Sequence, residues 1–380
     1  MSFKTLGLSN ALLPELAAQE FLEPYPIQSE AIPAILEMRD VLGIAGTGSG
    51  KTASYVLPIL TNLQKIQTKR DRHIHVLVLV PTRELAGQVN EVFATFAGSF
   101  KKKIRSRAVF GGVSINPQMM GMQHTDILVA TPGRLLQLVE SKAVHFSDLK
   151  TLVLDEADKM LNTAFTEEMN QIIAMLPAKR QNLLYSATLN DNVKQIHQIL
   201  LHDPLVIKVE AEETDIDLIE QAAYMVAESE KGPMLRYLIH TCEMKQVLVF
   251  TSSVTRADRV AEKLRKNGIE ARAIHRKKSQ GARTDLLTKF KNGKLPVLVS
   301  TDILARGIDI EYLPYVVNYE LPRSPKMFIH RIGRTGRAQR HGKAISLISP
   351  EEEHHFWIIE KKMNKFVDRI KTDDLDLSRV

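Results

Sequence analysis

The chain has one cysteine, Cys242, and one tryptophan, Trp357, in 380 residues, and only 6% of it is aromatic. A lone thiol excludes an intramolecular disulfide and any cysteine-built metal cluster, which suits a reducing compartment; Cys242 itself reads as a buried bystander. No apolar run approaches the roughly eighteen residues of a membrane-spanning helix, and Met1-Ser2-Phe3-Lys4 leads into no signal-type apolar core. The expectation is a soluble, cytoplasmic chain with no membrane partner. Neither sign of charge is scarce, with 51 Lys and Arg against 44 Asp and Glu, a formal net charge of +7. The excess is uneven: residues 1–214 carry 21 cations and 22 acids, residues 215–380 carry 30 and 22. A basic second half points to a polyanionic partner, although basic surfaces also serve solubility alone. With 44% hydrophobic and 25% charged residues, the length accommodates two domains, each with its own core.

Short apolar runs of buried-strand type recur along the chain, at 41–45, 76–80, 108–110, 127–130, 152–154 and 182–185, and again at 246–250, 271–275, 296–302 and 316–319. Helical stretches separate them, so right-handed crossovers and two mostly parallel sheets follow. Ser9 predicts a capped helix over about residues 10–19, and Lys51 opens another that runs to about 67. Helical periodicity weakens near Pro204, and the acidic, unpatterned stretch 209–217 reads as a linker between domains at 1–208 and 218–380. Beyond it, a helix near 254–267 closes at Gly268, and Ser349-Pro350-Glu351-Glu352 announces the last helix, where Trp357 reads as core packing. His354 and His355 are adjacent, so a helix splays them apart and they make a poor metal pair.

Two stretches carry the strongest chemistry. In Gly43-Ile44-Ala45-Gly46-Thr47-Gly48-Ser49-Gly50-Lys51-Thr52, glycines let backbone N–H groups converge on phosphate oxygens, and the following helix aims its positive end at the same place. Lys51 is placed to neutralise phosphate charge and Thr52 to offer a hydroxyl to Mg2+. In Leu152-Val153-Leu154-Asp155-Glu156-Ala157-Asp158, a buried strand ends abruptly in acids at the sheet edge where open α/β folds keep their ligands. Other strand ends carry Pro81-Thr82-Arg83, Gly111-Gly112 and Thr131-Pro132-Gly133-Arg134, with Thr131 at an N-cap and Pro132 at N1. Together they make a phosphodiester track; singly each is an ordinary cap or turn. Gln28 offers a donor and an acceptor suited to an adenine edge, though by itself it reads as a surface amide. The lysine run at 101–103 reads as a solvated face. In His330-Arg331-Ile332-Gly333-Arg334-Thr335-Gly336-Arg337, arginines three apart present forked donors suited to phosphate oxygens, with a plain cationic patch as the alternative.

In this order and register the segments closely resemble the motifs of the DEAD-box RNA helicases over nearly the whole chain. The resemblance implies two tandem RecA-like domains that use ATP and Mg2+ and close on single-stranded RNA. It implies that Phe21 stacks on adenine and Gln28 hydrogen-bonds it, and that Ala45, Gly46, Thr47, Gly48, Ser49, Gly50, Lys51 and Thr52 hold the phosphates. Thr52 and Asp155 would hold the metal and Glu156 would deprotonate the attacking water. Arg334 and Arg337 would act on the γ-phosphate, with Gly307 and Asp309 near the ribose. RNA would run over Pro81, Thr82, Arg83, Gly111, Gly112, Thr131, Arg134, Thr251, Arg276 and Thr301, while Asp158, Ser186, Thr188 and His330 would couple the domains. The implied activity is an RNA-dependent ATPase that locally separates short RNA duplexes or remodels RNA–protein complexes. A monomer is expected, with accessory proteins supplying specificity. An ATP-dependent RNA clamp and a DNA-directed helicase are the alternatives.

The chain departs from the family pattern at several positions. Glu20 stands where Gly is usual, Tyr25 where Thr or Ser is, Gly46 where Gln is common and Leu304 where Ala is. Arg276-Lys277-Lys278 replaces Gly-Asp and an apolar residue, with Gln280 and Arg283 retained; three cations there are expected to strengthen phosphate gripping.

Overall fold

A computed structural model of the chain describes residues 2–46, 48–66, 71–160, 166–209, 219–275, 277–302, 313–335, 342–372, 375 and 377. Thr47, Arg276, Leu304, Gly307, Asp309 and Arg337 lie outside the described residues. The chain divides into two compact units, Met1–Glu212 and Glu213–Val380, so the division falls inside the stretch read as a linker.

The strands of the first unit are β1 (Val41–Ile44), β2 (Val76–Leu79), β3 (Ser106–Val109), β4 (Ile127–Ala130), β5 (Thr151–Leu154), β6 (Gln181–Ser186) and β7 (Leu205–Lys208). They form a parallel sheet in the order β3-β4-β2-β5-β6-β1-β7. The central strands are apolar on both faces because helices cover both. In β2, Val76 and Val78 pack into the layer under the Lys51–Leu63 and Arg83–Ala97 helices, while Leu77 and Leu79 pack into the opposite layer with Leu135 and Met160. Side chains of period two sort themselves between two cores in this way.

The second unit repeats the plan with β8 (Ile219–Met225), β9 (Val247–Thr251), β10 (Ala271–Ile274), β11 (Val297–Thr301), β12 (Tyr315–Asn318), β13 (Gly342–Ile348) and β14 (Arg369–Lys371). Their order is β10-β11-β9-β12-β13-β8-β14, again parallel. Both units are RecA-like, as expected. Sequence reading missed β7, β8, β13 and β14. Three of these lie at or next to a sheet edge, where one-sided burial weakens the apolar signal.

Several local expectations are corrected. Ser9 does cap, but a 3-10 turn at Asn10–Leu12 precedes an α-helix that starts only at Leu13. The Lys51 helix ends at Leu63, and the last helix starts at Glu353 after a 3-10 turn that Ser349 caps. Thr131 occupies its N-cap position without a side-chain capping bond. Trp357 is not core: 45% of it is exposed, stacked on His354 at 6.0 Å with the Lys361 ammonium 5.3 Å from its ring centre. Cys242 is half-buried rather than buried.

Candidate nucleotide and nucleic-acid site

All the loops singled out in the first unit leave the C-terminal ends of its strands, so the parallel sheet gathers them on one edge. After β1 the chain turns through Gly48 (φ 78°) and Gly50 (φ 81°), left-handed backbone that favours glycine. At Gly50 there is a second constraint, because a Cβ there would lie 2.3 Å from Gln28 Nε2. Gln28 is the reason. Its amide nitrogen donates to the Gly50 carbonyl (3.1 Å) and its oxygen accepts the Tyr25 N–H (2.9 Å), riveting the start of the Pro26–Leu36 helix to the phosphate loop. The surface reading of Gln28 is therefore wrong: it is 0% exposed. Phe21 packs edge-on against Phe3 and Phe96. Glu20, which precedes it, sits at φ 59°. A left-handed conformation costs an L-residue about 1–2 kcal/mol, which accounts for glycine as the family's usual choice there.

Lys51 folds back over the loop, its ammonium donating to the carbonyls of Ala45 (2.6 Å) and Gly46 (3.0 Å). Burial pulls its pKa down, and Asp155, Glu156 and Asp158 pull against that, so the three acids lie within electrostatic reach of the phosphate loop. Asp155, at the end of β5, is buried. Its Oδ1 accepts the Glu156 N–H (2.9 Å) and its Oδ2 accepts the Tyr55 hydroxyl (2.8 Å). Burial raises its pKa, while Lys51 and Tyr55 lower it. Glu156 has φ 54°, a strained left-handed conformation for a residue with a side chain. Lys159 pairs with its Oε1 at 2.7 Å; Oε2 is buried with no hydrogen-bond partner among the described residues. Burial raises this carboxyl's pKa too, against the pull of Lys159, so it is tuned toward proton acceptance. Asp158 turns the other way, accepting from Ser186 Oγ (3.0 Å) and Thr188 Oγ1 (3.4 Å). The Thr52 hydroxyl and the Asp155 carboxylate are hard oxygen donors of the kind Mg2+ takes, so the residues fit that ion.

Tyr55 was missed by sequence reasoning. The available signal was helical spacing, which puts position 55 on the same face as Lys51 and Thr52. Because its hydroxyl helps hold Asp155 ionised, Tyr55→Phe should move the acid limb of the ATPase pH profile to higher pH. A profile superimposable on the parent's would remove Tyr55 from the site.

On the nucleic-acid side, the Arg83 guanidinium lies against Gly112, where a Cβ would come within 2.1 Å of its nitrogens. Gly112 (φ 75°) is thus the surface on which Arg83 rests. Thr82 caps the Arg83–Ala97 helix, accepting the Leu85 N–H at 3.2 Å. Arg134, expected on the track, is only 6% exposed. Its Nη2 donates to the Val113 carbonyl (2.8 Å) and its Nε to Gln137 (2.9 Å), so it props the Gly111–Val113 loop from beneath.

In the second unit, Thr251 and Thr301 are register partners at the ends of β9 and β11, and both are buried. The arginine-rich stretch is not uniformly presented. Arg331 is 1% exposed, its Nε and Nη2 gripping Asp302 (2.5 and 2.8 Å), its Nη1 donating to Asn318 Oδ1 (3.1 Å) and the Glu320 carbonyl (2.6 Å), with Phe250 beneath at 4.9 Å. It is a structural arginine that fixes the Pro325–Ile332 helix, which carries His330 and leads to Arg334, itself buried. Lys278, expected to help grip phosphate, forms an exposed ion pair with Asp258 (3.1 Å), which also holds His275 (2.9 Å).

Comparison with known proteins matches this geometry. The family model "DEAD/DEAH box helicase" covers residues 25–196, and "Helicase conserved C-terminal domain" covers residues 230–339. The chain is 40% identical over 379 residues to the DEAD-box ATP-dependent RNA helicase CshA of Streptococcus pneumoniae serotype 4, covering 100% of this chain and 71% of that protein. It is 39% identical over 362 residues to the ATP-dependent RNA helicase CshA of Limosilactobacillus reuteri, covering 95% and 72%. Among solved structures, S. cerevisiae Dbp5 bound to RNA and ADP BeF3 matches with a TM-score of 0.84 at 30% identity, over 98% of this chain and 96% of that one.

Proposed function

The chain belongs to the DEAD-box family of ATP-dependent RNA helicases, and from that premise we propose how its own residues carry the activity. One observation carries the assignment: a phosphate loop whose lysine feels the charge of an acid pair, with that pair's first carboxylate held by Tyr55 at 2.8 Å. Lys51 and the loop amides bind the ATP phosphates. Gln28 ties the adenine side of the site to the phosphate side through Gly50. Thr52 and Asp155 would hold Mg2+, which would supply positive charge to the ATP phosphates. Glu156 takes the proton of the attacking water at Oε2 as the water oxygen bonds to the γ-phosphorus and the bond from that phosphorus to the ADP oxygen breaks, and Lys51 stabilises the charge that develops; the family resemblance gives Arg334 and Arg337 the same charge-stabilising role. Asp158, Ser186 and Thr188 are the relay between hydrolysis and RNA grip.

Arg83, the Gly111-Gly112 turn and the half-buried Thr131 hold phosphates and 2′-hydroxyls, whereas Thr251 and Thr301, both buried, shape the strand ends beneath; contacts of this kind make binding tolerant of sequence. Strand separation is local: a strand gripped in a path that a duplex cannot follow is freed when ATP is hydrolysed. The test compares a short RNA duplex with a several-fold longer one of the same base composition, with ATP and with the Mg2+ chelated. Separation of the short duplex alone, lost on chelation, is expected; equal rates for both lengths would point instead to processive translocation.

A further inference from the structure

Five of the 21 cations in residues 1–214 fall between positions 101 and 107. Lys102 has a structural job, its ammonium donating to the carbonyls of Leu63 (2.8 Å) and Ile66 at the end of the phosphate-loop helix. The other four, Lys101, Lys103, Arg105 and Arg107, line a single cleft of about 410 Å³ floored by Phe100 and Ile104. No carboxylate lines this cleft, and none of the four cations is in an ion pair among the described residues. The neighbouring acid, Asp126, turns its Oδ2 to the Arg105 backbone N–H (3.0 Å) and its Oδ1 toward His75 (3.8 Å). The Arg107 guanidinium lies against Gly121, but Lys101, Lys103 and Arg105 remain at the cleft without a counterion among the described residues, and a bound polyanion relieves the repulsion between such like charges.

The position in the fold says which polyanion. β3 is an edge strand that pairs only with β4. The cleft lies at its N-terminal end, and its C-terminal end runs into the Gly111-Gly112 turn under Arg83. Six residues of extended chain separate Arg105 from that turn, roughly 20 Å. We propose that the cleft is a second RNA contact of the first unit, which holds phosphates of single-stranded RNA extending beyond the Arg83–Gly112 track. Lysine and arginine side chains on an open sheet edge reach a flexible phosphodiester without reading bases, and the arginine forks match phosphate oxygens. The proposal rests on the RNA-helicase reading.

The test uses Lys101→Glu with Lys103→Glu, both exposed and both outside the ATP site, beside the milder pair Lys101→Gln with Lys103→Gln. Affinity for a short single-stranded RNA and for a several-fold longer one is measured across a salt series, together with RNA-saturated ATP turnover. Loss of two phosphate contacts should make the salt slope for the long RNA shallower by about 1.4, with affinity lower on the order of tenfold. The glutamine pair should move the same way by less, with the short RNA and the turnover unchanged. Equal loss on both RNAs, or loss on neither, overturns the proposal. Capture of polyglutamate by the parent, lost in the variant while both RNAs bind normally, would make the cleft a dock for an acidic protein. Failure of the parent to bind even the short RNA would overturn the helicase reading itself.

Discussion

Glu156→Gln is expected to lower RNA-stimulated ATP turnover by about 10²- to 10⁴-fold, the usual worth of a positioned general base. The carboxylate lies on left-handed backbone, one oxygen held by Lys159 and the other buried with no hydrogen-bond partner among the described residues. Burial raises its pKa, which strengthens it as a proton acceptor. Glutamine preserves the shape and a hydrogen-bonding oxygen but takes no proton at neutral pH. Nucleotide affinity, which we assign to Lys51 and the loop amides, should stay within a few-fold of the parent's. Steady-state turnover measured beside equilibrium nucleotide binding separates the two effects. Turnover within threefold of the parent would remove Glu156 from the chemistry.

Arg331→Ala is expected to destabilise the second unit by about 3–5 kcal/mol, the cost of breaking a buried ion pair by removing one partner. The guanidinium joins Asp302, Asn318 and the Glu320 carbonyl and rests on Phe250, so its loss strands a carboxylate, an amide and a carbonyl together. Arg331→Lys should recover only part of the loss, because an ammonium cannot make the two parallel bonds to Asp302. The only tryptophan of the chain, Trp357, lies in this unit, so its fluorescence during urea denaturation reports the right transition. An unshifted midpoint in Arg331→Ala would show that the cluster contributes no net stability.

What was legible in the sequence was whatever chemistry requires at fixed local spacing. The phosphate loop, the Asp155-Glu156 pair and the strand-end turns announce themselves because backbone approach, charge and capping each demand particular residues in a row. Side chains whose partners are remote in sequence were harder. Arg331 looked like one more phosphate-binding arginine, since its partners Asp302 and Asn318 lie 29 and 13 residues upstream. Gln28 looked like a surface amide until the fold brought Gly50, 22 residues on, against it. Trp357 erred the other way: a large apolar ring was assigned to the core, whereas neighbours on its own helix, His354 and Lys361, satisfy it at the surface. Edge and near-edge strands such as β7, β8 and β14 escaped because their polar positions dilute the apolar run that marks a buried strand.

The most direct test of the account is steady-state ATP hydrolysis by the parent chain with no nucleic acid, with single-stranded RNA, and with DNA of the same sequence. Stimulation by RNA and not by its 2′-deoxy counterpart is the predicted result, because contacts to phosphates and 2′-hydroxyls should set the coupling. Equal stimulation by DNA, or none by either, would contradict it.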